Sequence, residues 1–162
     1  MRKRVYITGC GIITSIGNNL EENLDSLKAG KSGIGKISLL DTVHRDVLPA
    51  GEIKLTDEEL AGLAGVKPLP GLTRTALLGM IAAGEAFQKA GCTILDNSRT
   101  GFINGSTVGG MVSTEKYYLD YLESDRHFAW IDSNESSDST ERIARHLGIR
   151  DFVSTINTAC SS

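Results

Sequence analysis

The chain is poor in the residues that staple or interrupt small folds: three Cys, three Pro and one Trp in 162 residues. Cys10, Cys92 and Cys160 are odd in number, far apart, and have neither a CxxC spacing nor a histidine at ligand distance. That pattern indicates no disulfide framework and no metal site, and it fits a reducing, cytoplasmic setting. Long basic clusters are also missing, and 17 Lys+Arg stand against 20 Asp+Glu for a net charge of -3. Nucleic acid and anionic membrane surfaces are therefore not indicated as partners, because the residues that would neutralise phosphates are not gathered into a long run. Long apolar runs are absent too. Met1-Arg-Lys-Arg4 resembles the start of a signal peptide, but Gly9, Gly11, Thr14 and Ser15 break the stretch behind it, so the reading contains neither a signal peptide nor a membrane span. There is no internal repeat and no low-complexity segment. With 40% hydrophobic and 23% charged residues, the chain has the composition of a globular domain. One domain over residues 1–162 is the reading, with a core burying roughly 70% of the unfolded surface.

Glycine is in excess, at 18 of 162, or about 11% against a usual ~7%. The glycines gather near residues 9–17, 30–35 and 105–110, where tight turns and close backbone approaches are specified. Between them, hydrophobic periodicity divides the chain. Residues 4–8 read as a strand running into a turn. Asn19-x-x-Glu22 reads as a capping box for a helix whose buried face is Leu20, Leu24 and Leu27, stopped at Gly30. Gly51-Glu52-Ile53 is a short strand candidate. Thr56-x-x-Glu59 opens a helix closed by Pro68, Pro70 and Gly71. Residues 73–90 form a helix with Leu77, Met80, Ile81 and Phe87 in one stripe, and Gly84 on that stripe predicts close packing of a neighbour. Residues 100–104 and 151–159 read as strands, 111–122 as a helix, and 124–139 as an acidic, Ser-rich loop or lid-like excursion. Asp138-x-x-Glu141 then caps a helix that buries Ile143 and Leu147 and stops at Gly148. Strands and helices in alternation predict an α/β fold, a mixed sheet with helices on both faces.

Four patterns bear on chemistry. Gly9-Cys-Gly11 follows the first strand, but a dinucleotide fingerprint needs its third Gly where Thr14 stands, so a structural turn is the better reading. Gly105-Ser-Thr-Val-Gly-Gly110 lacks the Lys-Ser/Thr of a phosphate-binding loop and reads either as a buried turn or as the wall of a site at a strand's carboxyl end. His44, His127 and His146 have no spacing that implies a metal or a base, and His146 suits the last turn of its helix through the helix dipole. Cys160 differs, because a strand delivers it into the small-residue turn Thr158-Ala-Cys-Ser-Ser162, the setting of a nucleophile at a strand-to-helix corner. A helix starting there would lower the thiol pKa and offer an N–H to an oxyanion.

Taken together, Val5-Tyr-Ile-Thr-Gly-Cys-Gly11 with Ile16-Gly-Asn18, Leu27-Lys-Ala-Gly30, Lys31-Ser-Gly-Ile34, Gly105-Ser-Thr-Val-Gly-Gly110 and Asn157-Thr-Ala-Cys-Ser-Ser162 resemble, in order and spacing, the N-terminal part of a β-ketoacyl-acyl-carrier-protein synthase. The resemblance implies the N-terminal half of a thiolase-like, layered α-β-α fold. It places Cys160 on the family's acylated nucleophile and Val108 on a position that shapes the acyl pocket. It also implies decarboxylative condensation of acyl and malonyl thioesters carried on acyl carrier protein, no cofactor, and a homodimer formed across the strand before the nucleophile. The family's two assisting histidines follow the nucleophile. The chain is accordingly read as an N-terminal synthase domain truncated just after Cys160, with the fragment alone inactive. Arg74-Thr-Ala-Leu-Leu78 and Val108-Gly-Gly-Met111 lean toward aryl-polyene and polyketide members, while the acidic 124–139 segment departs from fatty-acid elongating ones. The rival reading is a chain-length-factor-like or scaffold subunit, in which the nucleophile is typically replaced.

Overall fold

The computed structural model describes residues 4–91, 100–107 and 109–158. Its elements are α1 (Leu20–Lys28), β1 (Gly35–Lys36), β2 (Pro49–Ala50), α2 (Asp57–Ala64), α3 (Arg74–Lys89), β3 (Gly101–Gly105), α4 (Met111–Glu123), a 3-10 turn (Asp125–His127), α5 (Phe128–Asp132), α6 (Ser136–His146) and β4 (Phe152–Ile156). No helix among the described residues is long and apolar enough to cross a membrane. The α/β class holds, with β1 and β2 antiparallel and β3 and β4 parallel. The chain divides into two compact units, residues 1–59 with 81–93, and 60–80 with 94–162.

In the first unit, the expected strand at residues 4–8 is not formed among the described residues. Val5 and Ile7 are 93% and 88% exposed. β-branched content favours extended backbone but a strand requires a ladder partner, and none of the described segments pairs with this one. Helix α1 begins as the capping box predicts: the Glu22 amide donates to Asn19 Oδ1 at 2.9 Å, and Gly30 takes the left-handed conformation with φ 64. Its buried face is not the leucine stripe. Leu24 and Leu27 are exposed, and Asn23 and Ser26 are buried. Asn23 Nδ2 donates to the carbonyls of Gly17 and Asn19, Thr14 Oγ1 donates to Asn23 Oδ1, and Ser26 Oγ donates to the Ile16 carbonyl at 2.7 Å. The helix is thus fastened to the 14–17 turn by buried polar groups, each with its partner.

The glycine turn before α1 lies against the last three turns of α3. A Cβ at Gly9 or Gly11 would meet the carbonyl oxygens of Ala86 and Ala82. Close packing therefore does occur on this helix, but the absent side chains are those of the loop. Among the described residues nothing lies within 4 Å of a Cβ placed at Gly84. Glu85 completes the attachment, accepting from the Ile12 amide at 3.0 Å and the Leu20 amide at 2.9 Å while Lys89 Nζ sits 3.1 Å away. Burial pushes the Glu85 pKa up, but the Leu20 and Ile12 amides and Lys89 outweigh it and hold it below its ordinary value of 4.5. A carboxyl depressed in the folded state stabilises above its unfolded pKa and loses that contribution as pH falls through the folded value. Glu85→Gln is therefore expected to lower the melting temperature at pH 7 and to flatten its decline below pH 4.5. Parallel wild-type and variant profiles across that range would refute the assignment.

The short strand lies at Pro49–Ala50, just before the expected 51–53. The carboxylate two residues on closes this hairpin. Glu52 accepts from the amides of Ser38, Leu39 and Leu40 at 2.7–2.9 Å and from Ser38 Oγ, and it pairs with Lys54 Nζ at 2.6 Å. The Lys54 ammonium first, then the Leu40 and Ser38 amides, hold its pKa far below the usual carboxylate range against the effect of burial. Helix α2 starts with a reciprocal capping box, Glu59 amide to Thr56 Oγ1 at 3.2 Å and Thr56 amide to Glu59 Oε2 at 2.7 Å. It ends earlier than the prolines suggested, at Gly65 with φ 68.

The second unit holds most of the buried apolar residues: Leu60 and Ala61 of α2, Ala76, Leu77 and Met80 of α3, and Ile143, Ala144 and Ile149. Ile143 lies directly against Gly79, where a Cβ would collide with its Cδ1. The stretch expected as a loop at 124–139 is mostly helical. Extended Ser124, at φ -165, ends α4, and the chain turns so that Trp130 comes within 5.9 Å of Tyr117 and Phe128 within 6.3 Å of Tyr121. Four aromatic and apolar residues in this stretch suffice for packing because their partners are supplied by α4. Helix α6 starts at Ser136, so Asp138 is not its cap. It lies in the first turn and receives Arg142 Nε at 2.7 Å. Gly148, φ 74, stops it as expected.

Candidate active site

Strands β3 and β4 run parallel in unbroken register, from Gly101 opposite Phe152 to Gly105 opposite Ile156. Their carboxyl ends therefore stop side by side, the place where α/β sheets bind ligands. The Ser106 amide donates to the Ile156 carbonyl at 3.1 Å and carries the ladder one step past the strands. Val108 follows Gly105 by three residues and Cys160 follows Ile156 by four. Both lie outside the described residues, as does Cys92, but the strands that lead to Val108 and Cys160 end together.

The segment leaving β3 rests on the turn between α5 and α6. The Gly110 amide donates to the Ser133 carbonyl at 2.7 Å, and Ser133 Oγ to the Trp130 carbonyl at 2.8 Å. Side chains at Gly109 and Gly110 would run into the Asn134 carbonyl and Ser133 Oγ. The glycine pair is thus a close backbone approach, which places the start of α4 on a rigid base; Ser133 is 1% exposed.

Sequence reasoning passed over the side chains behind the strand ends. Thr140 of α6 is fully buried, and its Oγ1 accepts from Asn104 Nδ2 of β3 at 3.0 Å and from Thr155 Oγ1 of β4 at 2.8 Å. One helical turn earlier, Ser136 Oγ accepts from Asn157 Nδ2 at 3.0 Å. The available signal was a hydroxyl pair, Ser139-Thr140, on the apolar side of a helix whose other residues are mostly polar or charged.

The histidines have structural places. His127 stacks on Tyr117 with ring centroids 4.3 Å apart, its Nε2 3.6 Å from Asp120 Oδ2, while His44 and His146 are exposed. Cys10 is a free, exposed thiol. Among the described residues no group of three or more His, Cys, Asp or Glu could hold a metal ion.

A parallel strand pair whose exits adjoin, backed by α6, makes an α/β scaffold with a candidate site at one end of its sheet. The structure is similar to the ishigamide ketosynthase/chain length factor, with a TM-score of 0.78 and 27% identity, over 98% of this chain and 40% of that one. A β-ketoacyl synthase from Burkholderia phymatum STM815 shares the fold, with a TM-score of 0.66 and 17% identity over 95% of this chain and 39% of the other. Residues 2–162 match the family model of the β-ketoacyl synthase N-terminal domain. The chain belongs to that family. Among curated relatives it is 40% identical over 109 residues to 3-oxoacyl-[acyl-carrier-protein] synthase 1 of Haemophilus influenzae, covering 66% of this chain and 26% of the relative. It is 35% identical over 115 residues to 3-oxoacyl-[acyl-carrier-protein] synthase 2 of Staphylococcus aureus, covering 70% and 27%. The chain spans about a quarter of the length of these relatives.

Proposed function

We propose that the full-length protein carrying this chain is a cytoplasmic β-ketoacyl-acyl-carrier-protein synthase and that the chain supplies its nucleophile, Cys160. The observation that carries the reading is the family match across residues 2–162, which takes in Asn157-Thr-Ala-Cys-Ser-Ser162. The adjacent exits of β3 and β4 support it by bringing the segments that contain Val108 and Cys160 to one end of the sheet. In the first half-reaction the Cys160 thiolate attacks the acyl thioester carbonyl on acyl carrier protein. A carbon–sulfur bond to Cys160 forms, that to the carrier breaks, and the carrier sulfur leaves as thiolate and takes up a proton. Backbone N–H groups at the strand-to-helix corner would hold the tetrahedral oxyanion. In the second, a malonyl thioester loses CO2 and the freed electron pair attacks the acyl carbonyl, expelling the Cys160 sulfur. The chemistry needs no cofactor.

The experiment is to incubate the full-length protein with acyl- and malonyl-acyl carrier protein and to look for CO2 and a β-ketoacyl product two carbons longer than the acyl substrate. A protein that releases neither is the chain-length-factor-like subunit, the second reading, which the ketosynthase/chain length factor neighbour keeps in view. The presence of Cys160 favours the enzyme.

Val108 is assigned to the wall of the acyl pocket. Val108→Phe should shorten the longest acyl group accepted, because overpacking a fitted wall costs about 1–3 kcal/mol. An unchanged chain-length profile by product mass spectrometry would remove Val108 from the pocket. Homodimerisation is assigned to β4, which among the described residues is paired on one side only and leaves Phe152 and Ile156 56% and 42% exposed. Sedimentation of the full-length protein should show a dimer at micromolar concentration, and a monomer would contradict this.

A further inference from the structure

We infer that Thr140 is a positioning residue for Cys160, acting through the end of β4; the inference rests on the reading of Cys160 as the nucleophile. Helix α6 grips the last residues before the catalytic turn at two points. Thr140 Oγ1 accepts from Thr155 Oγ1 at 2.8 Å, and Ser136 Oγ accepts from Asn157 Nδ2 at 3.0 Å. Residues 136 and 140 lie one above the other on a helix face, and 155 and 157 lie on one face of an extended chain. Four helical residues rise about 6 Å and two extended residues about 6.6 Å, so the two pairs meet in register. A one-residue slip of β4 would turn both side chains away.

Thr140 also fixes the second strand, since Asn104 Nδ2 of β3 donates to the same oxygen at 3.0 Å. Both lone pairs of that fully buried hydroxyl are thus used, one for each strand whose exit forms the site. Between the two grips, the Ile156 carbonyl accepts from the Ser106 amide at 3.1 Å. Residues 155 and 157 are therefore each held by a hydrogen bond to α6, residue 156 is held by the segment that follows β3, and Cys160 follows Asn157 by three residues. Valine in place of Thr140 would fill the same volume, but apolar packing tolerates small slides that directed hydrogen bonds do not. A nucleophile must be held within about 0.5 Å of its productive position, which is the demand this arrangement meets.

The test uses the full-length protein and compares Thr140→Val, which removes the acceptor and keeps the shape, with Thr140→Ser, which keeps the acceptor. Two rates are measured well below the melting temperature: acylation of Cys160 by an acyl-carrier-protein thioester, and alkylation of Cys160 by iodoacetamide as a function of pH. Thr140→Val is expected to slow acylation roughly tenfold or more and to move the alkylation midpoint to higher pH, as would follow if helix-start N–H groups stabilise the thiolate. Thr140→Ser should restore both to within about twofold. A folded Thr140→Val protein with the wild-type rate and midpoint overturns the inference, as does a Thr140→Ser protein equally impaired, which would assign the effect to packing. If Thr140→Val does not fold, Ser136→Ala removes only the outer grip and should slow acylation several-fold, and a wild-type rate there overturns it. Wild-type protein that takes no acyl group defeats the proposed function instead, while the alkylation profile still reports on Thr140.

Discussion

Replacing Cys160 with alanine is expected to abolish condensation by the full-length protein while leaving its melting temperature within a few degrees of wild type. The two outcomes separate a nucleophile from a structural thiol. If the sulfur is the acyl acceptor, its removal ends the covalent route, and losses on the order of a thousandfold or more accompany deletion of a covalent nucleophile. If it is a small buried hydrophobe, the variant would keep its rate and lose stability. Product formation under multiple turnover and thermal unfolding of the same preparation distinguish these. A variant that condenses at more than about a tenth of the wild-type rate contradicts the assignment.

The second large effect is expected in the core of the unit that holds β3 and β4. Ile143 is 2% exposed, and the residue it faces on α3 is Gly79. Ile143→Ala should lower the unfolding free energy by about 2–5 kcal/mol, toward the upper part of that range, because a glycine has no side chain with which to fill the space. Urea denaturation of the full-length protein at pH 7 checks this, and a loss below about 1 kcal/mol would show that the α3–α6 contact is not tightly packed. Activity should fall as well at elevated temperature, since Thr140 lies one turn away on the same helix.

Local backbone chemistry was legible in the sequence wherever a side chain serves the residues next to it. Asn19 with Glu22, Thr56 with Glu59, and the left-handed glycines 30 and 148 are all found in the roles their spacing implied. What depends on distant partners was not legible. Residues 4–8 have the composition of a strand and no ladder among the described residues. The Leu24 and Leu27 stripe predicts a core face, but α1 is hydrogen-bonded to the 14–17 turn through Asn23 and Ser26, a preference that apolar periodicity cannot register. The polar composition of the 124–139 segment predicts a loop. Its Ser and Asp residues instead end helices and satisfy carbonyls while Phe128 and Trp130 pack on tyrosines of α4. The parallel register of β3 and β4, which brings the two candidate exits together, is a long-range property of the same kind, and so is the hydroxyl at Thr140 that holds both strands.

The central claim is that this chain carries the acyl-accepting sulfur of a condensing enzyme, and mass spectrometry tests it most directly. The full-length protein is incubated with an acyl-acyl carrier protein in the absence of the malonyl substrate, weighed intact, and digested to locate any adduct. The account predicts one acyl group per protomer, on the peptide containing Cys160, labile to hydroxylamine as a thioester should be. An unmodified protein, or the same adduct on a peptide that lacks Cys160, contradicts it.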